Sequence, residues 1–347
     1  MLYRHLLSRA LEGKREEFVS FDRAWREDVG DYVRRLRAID GKSEREILDA
    51  LATVKEPGAI PSPELDGAGS LVVPFGRRWR THEESRRWAV DALSDRTTFA
   101  ADGSQLVPGR DVSLPVAAVQ VGMFENSHTR DGAYMKDARF RVISPHELLE
   151  EGDERQSADT IVGLRRFELE TEVLSRWIES KKGWRERLER TPVAFFDGTL
   201  MISIALPKTR LQDAYISGVV NLVKLSRDAE VPLVGFVDQS YARDLVWLLD
   251  SLDAERRARR SRSLFDAQLL HAALEGEPPL LNGWGDRTIF CYCARKNSSE
   301  AFKDERTARP LVGFTYLRTT GDGAPARLDV PAWIYEAGLL DDVLDTV

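Results

Sequence analysis

Cysteine is almost missing: 347 residues hold only Cys291 and Cys293, in a Cys-Tyr-Cys. On a strand, positions two apart point to one face, and without a second cysteine pair there is no zinc framework. The expectation is a pair of reduced structural thiols, in keeping with a reducing compartment. Long apolar runs are missing too. No stretch approaches the about 20 residues that cross a bilayer, and the N-terminus Met-Leu-Tyr-Arg-His-Leu-Leu runs into Arg and Glu instead of a signal-peptide core. These features predict no membrane span and a cytoplasmic location. Bulk positive charge is also lacking, with 50 Lys+Arg against 57 Asp+Glu and a formal net charge of −7. That disfavours nucleic-acid binding through overall charge but leaves room for a local basic path. Internal repeats and low-complexity tracts are absent.

What is present is a globular composition, 42% hydrophobic and 31% charged, long enough for a sizeable core in one large domain or two modest ones. Two apolar runs each end in Asp-Gly: Thr-Thr-Phe-Ala-Ala-Asp102-Gly103-Ser104 and Pro-Val-Ala-Phe-Phe-Asp197-Gly198-Thr199. A short apolar run closed by a turn pair reads as a buried strand, so each aspartate is expected where a strand gives out. Taken singly, each Asp-Gly reads as a plain turn; recurring on two similar strands, they suggest a pair of carboxylates that holds a cation. Basic residues cluster at Arg256, Arg257, Arg259, Arg260 and Arg262, and again at Arg77-Arg78-Trp79-Arg80. Such patches can track phosphates, and a solvated helix face accounts equally well for the first.

Residues 1 to about 55 are rich in Leu, Arg and Glu without proline, and predict a helical N-terminal section. Pro57, Pro61 and Pro63 with the glycines up to Gly69 predict a linker, and Thr81 opens a short helix through Leu93. Strands are expected at 98–102, 114–124 and 138–143, in an antiparallel meander. A long helix over 157–181 follows, with Leu164, Phe167, Thr171, Leu174 and Ile178 on one face. Then come a strand at 192–196, a helix at 211–227 and a strand at 232–237 ending at Asp238, an alternation that implies parallel pairing. Further strands are expected at 288–294, 312–317 and 327–330, before a helical end.

This order resembles the α/β ribonuclease H-like fold, a mixed sheet in which the first strand lies beside the fourth. On that resemblance Asp102 and Asp197 become neighbours in space. Four segments resemble the NurA nuclease family: Phe-Ala-Ala-Asp102-Gly-Ser104, Phe-Phe-Asp197-Gly-Thr-Leu200, Val-Gly-Phe-Val-Asp238-Gln-Ser240 and Ala326-Arg327-Leu328-Asp329-Val330-Pro331. The corresponding division is 1–95 as helical section and linker, and 96–347 as nuclease domain. The resemblance implies a manganese-dependent (or magnesium-dependent) DNA nuclease, typically dimeric, that works with a hexameric HerA-type ATPase in DNA end resection and recombinational repair.

It also implies that Asp102 and Asp197 ligate metal and that the intervening helix adds an acid. Glu168 and Glu170 flank the apolar stripe, and Glu170 is favoured because family members tend to carry an arginine four residues earlier, here Arg166. Asp238 is a candidate fourth ligand or a strand-end cap. Arg256, Arg257, Arg259 and Arg260 are the candidate DNA contacts. Two divalent ions about 4 Å apart can activate water and neutralise charge on a phosphodiester. The chain departs from the family pattern in one respect. Relatives use a tyrosine and a histidine in the C-terminal section, whereas no histidine follows His271; Tyr316, Arg327 or Asp329 stand at that end without an assigned role. His128, His146 and His271 read as surface or packing residues. Two rival readings follow. The Asp197 motif also resembles the Asp-x-Asp-Gly-Thr signature of haloacid dehalogenase-type phosphatases, but Phe195 stands where that chemistry needs its nucleophile. The other rival is a non-catalytic DNA-binding or scaffold subunit of the same fold.

Overall fold

The computed structural model describes residues 3–109, 113–150, 158–201, 210–257, 261, 263–295 and 300–347. Its elements begin with α1 (Arg4–Glu12), α2 (Arg15–Arg37), α3 (Glu44–Leu51), β1 (Gly58–Pro61), α4 (Glu64–Ala68), β2 (Val72–Val73) and α5 (His82–Leu93). Next come β3 (Thr98–Leu106), β4 (Ala117–Asn126), β5 (Tyr134–Ile143), α6 (Pro145–Glu150), α7 (Ala158–Lys181), β6 (Val193–Asp197), α8 (Arg210–Ala229) and β7 (Leu233–Val237). The chain continues with α9 (Asp244–Ser251), α10 (Asp266–His271), β8 (Arg287–Thr288), β9 (Cys291–Ala294), β10 (Val312–Leu317), β11 (Ala326–Pro331), α11 (Ala332–Glu336) and α12 (Leu340–Leu344). No described helix is long and apolar enough to cross a membrane.

Contacts divide the chain into two interleaved compact units. One comprises Met1–Phe75, Gln239–Ile289 and Tyr316–Ala326; the other comprises Gly76–Asp238, Phe290–Thr315 and Arg327–Val347. In the first unit the far half of α2 buries Val29, Tyr32, Val33 and Leu36. By contrast, Leu6, Leu7 and Leu11 of α1 and Phe18, Val19 and Phe21 of early α2 are exposed. The segment expected as a linker carries β1 and α4, because Ala59 and Leu65 are fully buried despite the flanking prolines, and Pro63 is tolerated at the N-cap of α4.

The second unit is built on a mixed sheet with the strand order β9-β10-β11-β7-β6-β3-β4-β5. Strands β3, β4 and β5 form the antiparallel meander, and β6 lies parallel to β3 with β7 parallel to β6. Strand β11 closes antiparallel on β7. This is the ribonuclease H-like arrangement, with the first strand of the meander beside the fourth strand. Helix α7 packs on β3 and on α8, and its face of Leu164, Phe167, Thr171, Leu174 and Ile178 is buried as the heptad-like spacing predicts. Phe99 stacks on Trp177 at 5.0 Å, and Phe167 meets Phe196 edge-on at 6.4 Å. Such ring pairs add about 0.5–1.5 kcal/mol each beyond area burial.

Strand limits differ from expectation in an informative way. β5 begins at Tyr134, four residues early, because all of its residues except Arg141 and Ile143 are exposed and no apolar alternation marks the start. β3 runs through Asp102-Gly103 to Leu106, so that Asp-Gly pair is not a turn. β4 keeps pairing with β3 as far as Leu106↔Ala118. Only the parallel partner β6 gives out at Asp102, since the last β3–β6 pair is Ala101↔Phe196.

Candidate metal centre

Asp102 and Asp197 are the residues that follow the last β3–β6 pair, so they sit side by side on strands about 4.8 Å apart and on one face of the sheet. Both are exposed, and both line an open groove of about 690 Å³ together with Phe124, Lys136, Phe195 and Phe236. Neither carboxylate is committed to a hydrogen bond or ion pair among the described residues. The turn expected after Asp197 is present: β6 ends there and Gly198 has φ 133°, a conformation costly for a residue with a Cβ.

Glu170 arrives from α7. It accepts the Gly103 N–H and pairs with Arg166 Nε at 3.5 Å, with its side chain 15% exposed. A Cβ at residue 103 would collide with Glu170 Oε1 and lie 2.6 Å from Arg166 Cγ. Glycine at 103 therefore serves the approach of a carboxylate and not a turn. Because strand residues alternate between faces, residue 103 looks toward α7 while Asp102 looks into the groove. The structure thus brings Asp102 and Asp197 together and places Glu170 one residue away on the helix side. No group of three His, Cys, Asp or Glu side chains closes into a metal cage among the described residues. The groups nonetheless sense one another. Burial pushes the Glu170 carboxyl above its ordinary value, and the charges of Asp102 and Asp197 push the same way, against Arg166 and the Gly103 N–H. As donors, two uncommitted carboxylates and a third nearby are hard oxygen ligands, which fit manganese or magnesium.

The other helix acids have different partners. Glu168 is bound by Arg165 at 2.8 Å, and Glu172 by Arg176. Asp238 is exposed just past β7 and does not line the groove. In the other unit, Arg256 pairs with Asp31 at 3.0 Å and lies over the Tyr32 ring, while Arg257 donates to the carbonyls of Ser251 and Ala50. Arg259 and Arg260 lie outside the described residues.

Of the residues at the C-terminal end, Asp329 has a definite task that its sequence context left open. Fully buried, it accepts from Thr199 Oγ1 and from Leu200 N at 3.0 Å, which pins the loop behind Asp197. Arg327 Nε donates to its other oxygen at 2.7 Å, and the guanidinium lies 4.1 Å from the Phe314 ring centroid and reaches Cys293 Sγ. The available signal was an Arg-x-Asp pair on one face of an otherwise apolar strand. Tyr316 instead donates to Asp266 at 3.0 Å within the other unit. His128 is held by a contact from Nδ1 to the Arg96 carbonyl at 2.7 Å.

Comparison with known proteins adds the following. A family model described as the NurA domain matches residues 96–347. A crystal structure of NurA is similar with a TM-score of 0.40 and 10% identity, over 76% of this chain and 85% of that one. The catalytic domain of human endonuclease V gives a TM-score of 0.27 and 12% identity, over 72% of this chain and 82% of that one. No curated protein sequence matches.

Proposed function

The chain belongs to the NurA family, and on that premise we propose that it is a metal-dependent deoxyribonuclease acting at Asp102 and Asp197. The observation that carries this reading is the register that sets two uncommitted carboxylates side by side in an open groove. Asp102 and Asp197 would hold manganese, or magnesium, with Glu170 as a third acid and Asp238 as an outer candidate. A divalent ion bound there supplies charge neutralisation on the scissile phosphate and a more acidic water. The chain's own part is positional. Asp329 and Arg327 fix the loop behind Asp197, Gly103 admits Glu170 to the neighbouring strand, and Arg166 holds that carboxylate in place.

A net charge of −7 gives the protein as a whole little attraction for DNA. Arg256 and Arg257 could reach DNA only by leaving their present partners. A translocating HerA-type hexamer would raise the local DNA concentration at the groove, in a role in end resection and recombinational repair. The protein would act there as a cytoplasmic homodimer. The C-terminal segment is engaged with its own unit, Trp333 donating to Ser226 and Tyr335 stacking on Phe290 at 4.7 Å. The exposed apolar residues of α1 and α2, within the helical section 1–95, are the proposed surface for the dimer or the ATPase. Size-exclusion light scattering with and without the cognate ATPase tests this, and a monomer that neither co-elutes nor gains activity removes the partnership.

The central test pairs a manganese titration with cleavage assays on single- and double-stranded DNA. The expected result is saturable binding and metal-dependent cleavage. DNA binding without cleavage at any metal concentration would instead assign the scaffold role.

A further inference from the structure

The sheet face that carries Asp102 and Asp197 continues across β4 and β5, and its residues fall in rows set by strand register. One row reads Asp197, Asp102, Gly122, Ala138, because Gly122 pairs with both Asp102 and Ala138. The row on one side reads Phe195, Ala100, Phe124, Lys136, and the row on the other reads Ser104, Gln120, Phe140. The row of the aspartates thus has its smallest side chains next to the carboxylates, walled by larger ones. From Asp102 to Ala138 it spans two strand spacings, about 10 Å.

Backbone geometry gives no reason for a glycine at 122. A Cβ there would meet nothing nearer than the Asp102 carbonyl at 3.9 Å. Glycine inside a strand is costly, and it often marks a close approach by a ligand. What glycine preserves here is the space above the sheet.

One wall combines aromatic rings with a cation. The Phe124 and Tyr134 rings lie 5.6 Å apart, and Lys136 Nζ stands 5.6 Å from the first centroid and 5.1 Å from the second. Phe124 is 39% exposed and Tyr134 60%. Exposed rings suit unstacked bases, which a duplex does not offer, and the cation beside them suits the strand's phosphates.

We propose that Gly122 and Ala138 floor a channel that leads one DNA strand across β5 and β4 to Asp102 and Asp197, with bases stacked on Phe124 and Tyr134 and a phosphate held by Lys136. This rests on the nuclease reading, which it sharpens by naming the single strand as the form that occupies the groove.

The test measures binding, with no cleavage required. Fluorescence anisotropy of a labelled single-stranded oligonucleotide, its abasic counterpart and a duplex is recorded with calcium in place of manganese, for the full chain and for Gly122→Leu, Phe124→Ala and Lys136→Ala. Thermal unfolding and light scattering check each variant. Gly122→Leu and Phe124→Ala are expected to weaken single-strand binding about tenfold, in the range of one lost stacking contact. The abasic oligonucleotide is expected to bind the wild type and Phe124→Ala alike. Single-strand affinity within twofold of wild type in Gly122→Leu and Phe124→Ala overturns the channel. So does an equal loss on the duplex, or a changed oligomeric state in Gly122→Leu, which would give this face to a second copy. A wild type that binds the single strand through these residues yet never cleaves it with manganese would refute the nuclease reading and leave the channel standing.

Discussion

Strand β3 shows two different proteins on its two faces. Phe99 and Ala101 point toward α7 and are almost fully buried, with Phe99 stacked on Trp177; Ala100 and Asp102, between and beyond them, are exposed on the groove side. The helix-covered face resembles any close-packed interior, where a lost methylene is felt. The groove face holds two carboxylates side by side and a floor of only glycine and alanine, an arrangement that adds little to the core. The comparison teaches that one face holds the fold so that the other can keep charge uncompensated. The faces meet where Gly103 lets Glu170 reach the strand.

The sharpest way to break this division is to remove charge from the groove without touching the core. Asp102→Asn and Asp197→Asn are expected to lower metal-dependent cleavage at least about 10³-fold, a loss of about 4 kcal/mol in transition-state stabilisation. Both should leave the thermal midpoint close to wild type, because both side chains are exposed. Steady-state cleavage beside calorimetry checks this; near-normal cleavage in both variants removes the site assignment.

A somewhat smaller effect is expected from the same strand's other face. Phe99→Ala should cost about 3 kcal/mol in urea unfolding, since it empties a buried ring site against Trp177. Phe124→Ala, on the groove face of β4, should cost under about 1 kcal/mol. Equal losses would mean that the groove face is part of the core after all.

The helix-covered face was readable in the sequence, and the groove face much less so. Burial imposes periodicity, so the stripe of α7 and the apolar runs of β3, β6 and β7 placed those elements within a few residues. β5 has no buried face along most of its length, and nothing in its pattern marks where it begins. Asp102 and Asp197 stood out because each closes an apolar run, yet Asp-Gly meant a turn at one and a continuing strand at the other. The difference lies in Glu170, 67 residues beyond Gly103 in sequence, whose carboxylate needs the space that a side chain at 103 would fill. Gly122 and Ala138 carry no local signal, since their meaning depends on register with Asp102. Asp329 likewise looks like an ordinary strand acid until Thr199 and Leu200 are seen to donate to it.

The smallest expected effect probes the point where the two faces meet. The folded protein raises the Glu170 carboxyl above its ordinary value of 4.5, through burial first, with the charges of Asp102 and Asp197 adding to it. A carboxyl so raised binds its proton more tightly in the folded than in the unfolded chain. Its contribution to stability is complete below pH 4.5 and is lost as pH rises through the folded-state value. At pH 7 the ionised Glu170 is therefore a net cost, which Glu170→Gln removes at nearly the same shape. The variant should unfold at a slightly higher urea concentration than wild type at pH 7, with the advantage gone below about pH 4.5, while its cleavage falls far more than that of Glu172→Gln. Glu172 is half exposed and paired with Arg176 one turn along, so its replacement should change stability by under about 0.5 kcal/mol. Urea midpoints of both variants at pH 7 and pH 4 decide the matter. A Glu170→Gln protein less stable than wild type at pH 7 would mean that Arg166 and the Gly103 N–H outweigh burial, and that Glu170 belongs to the architecture of the helix-covered face and not to the groove.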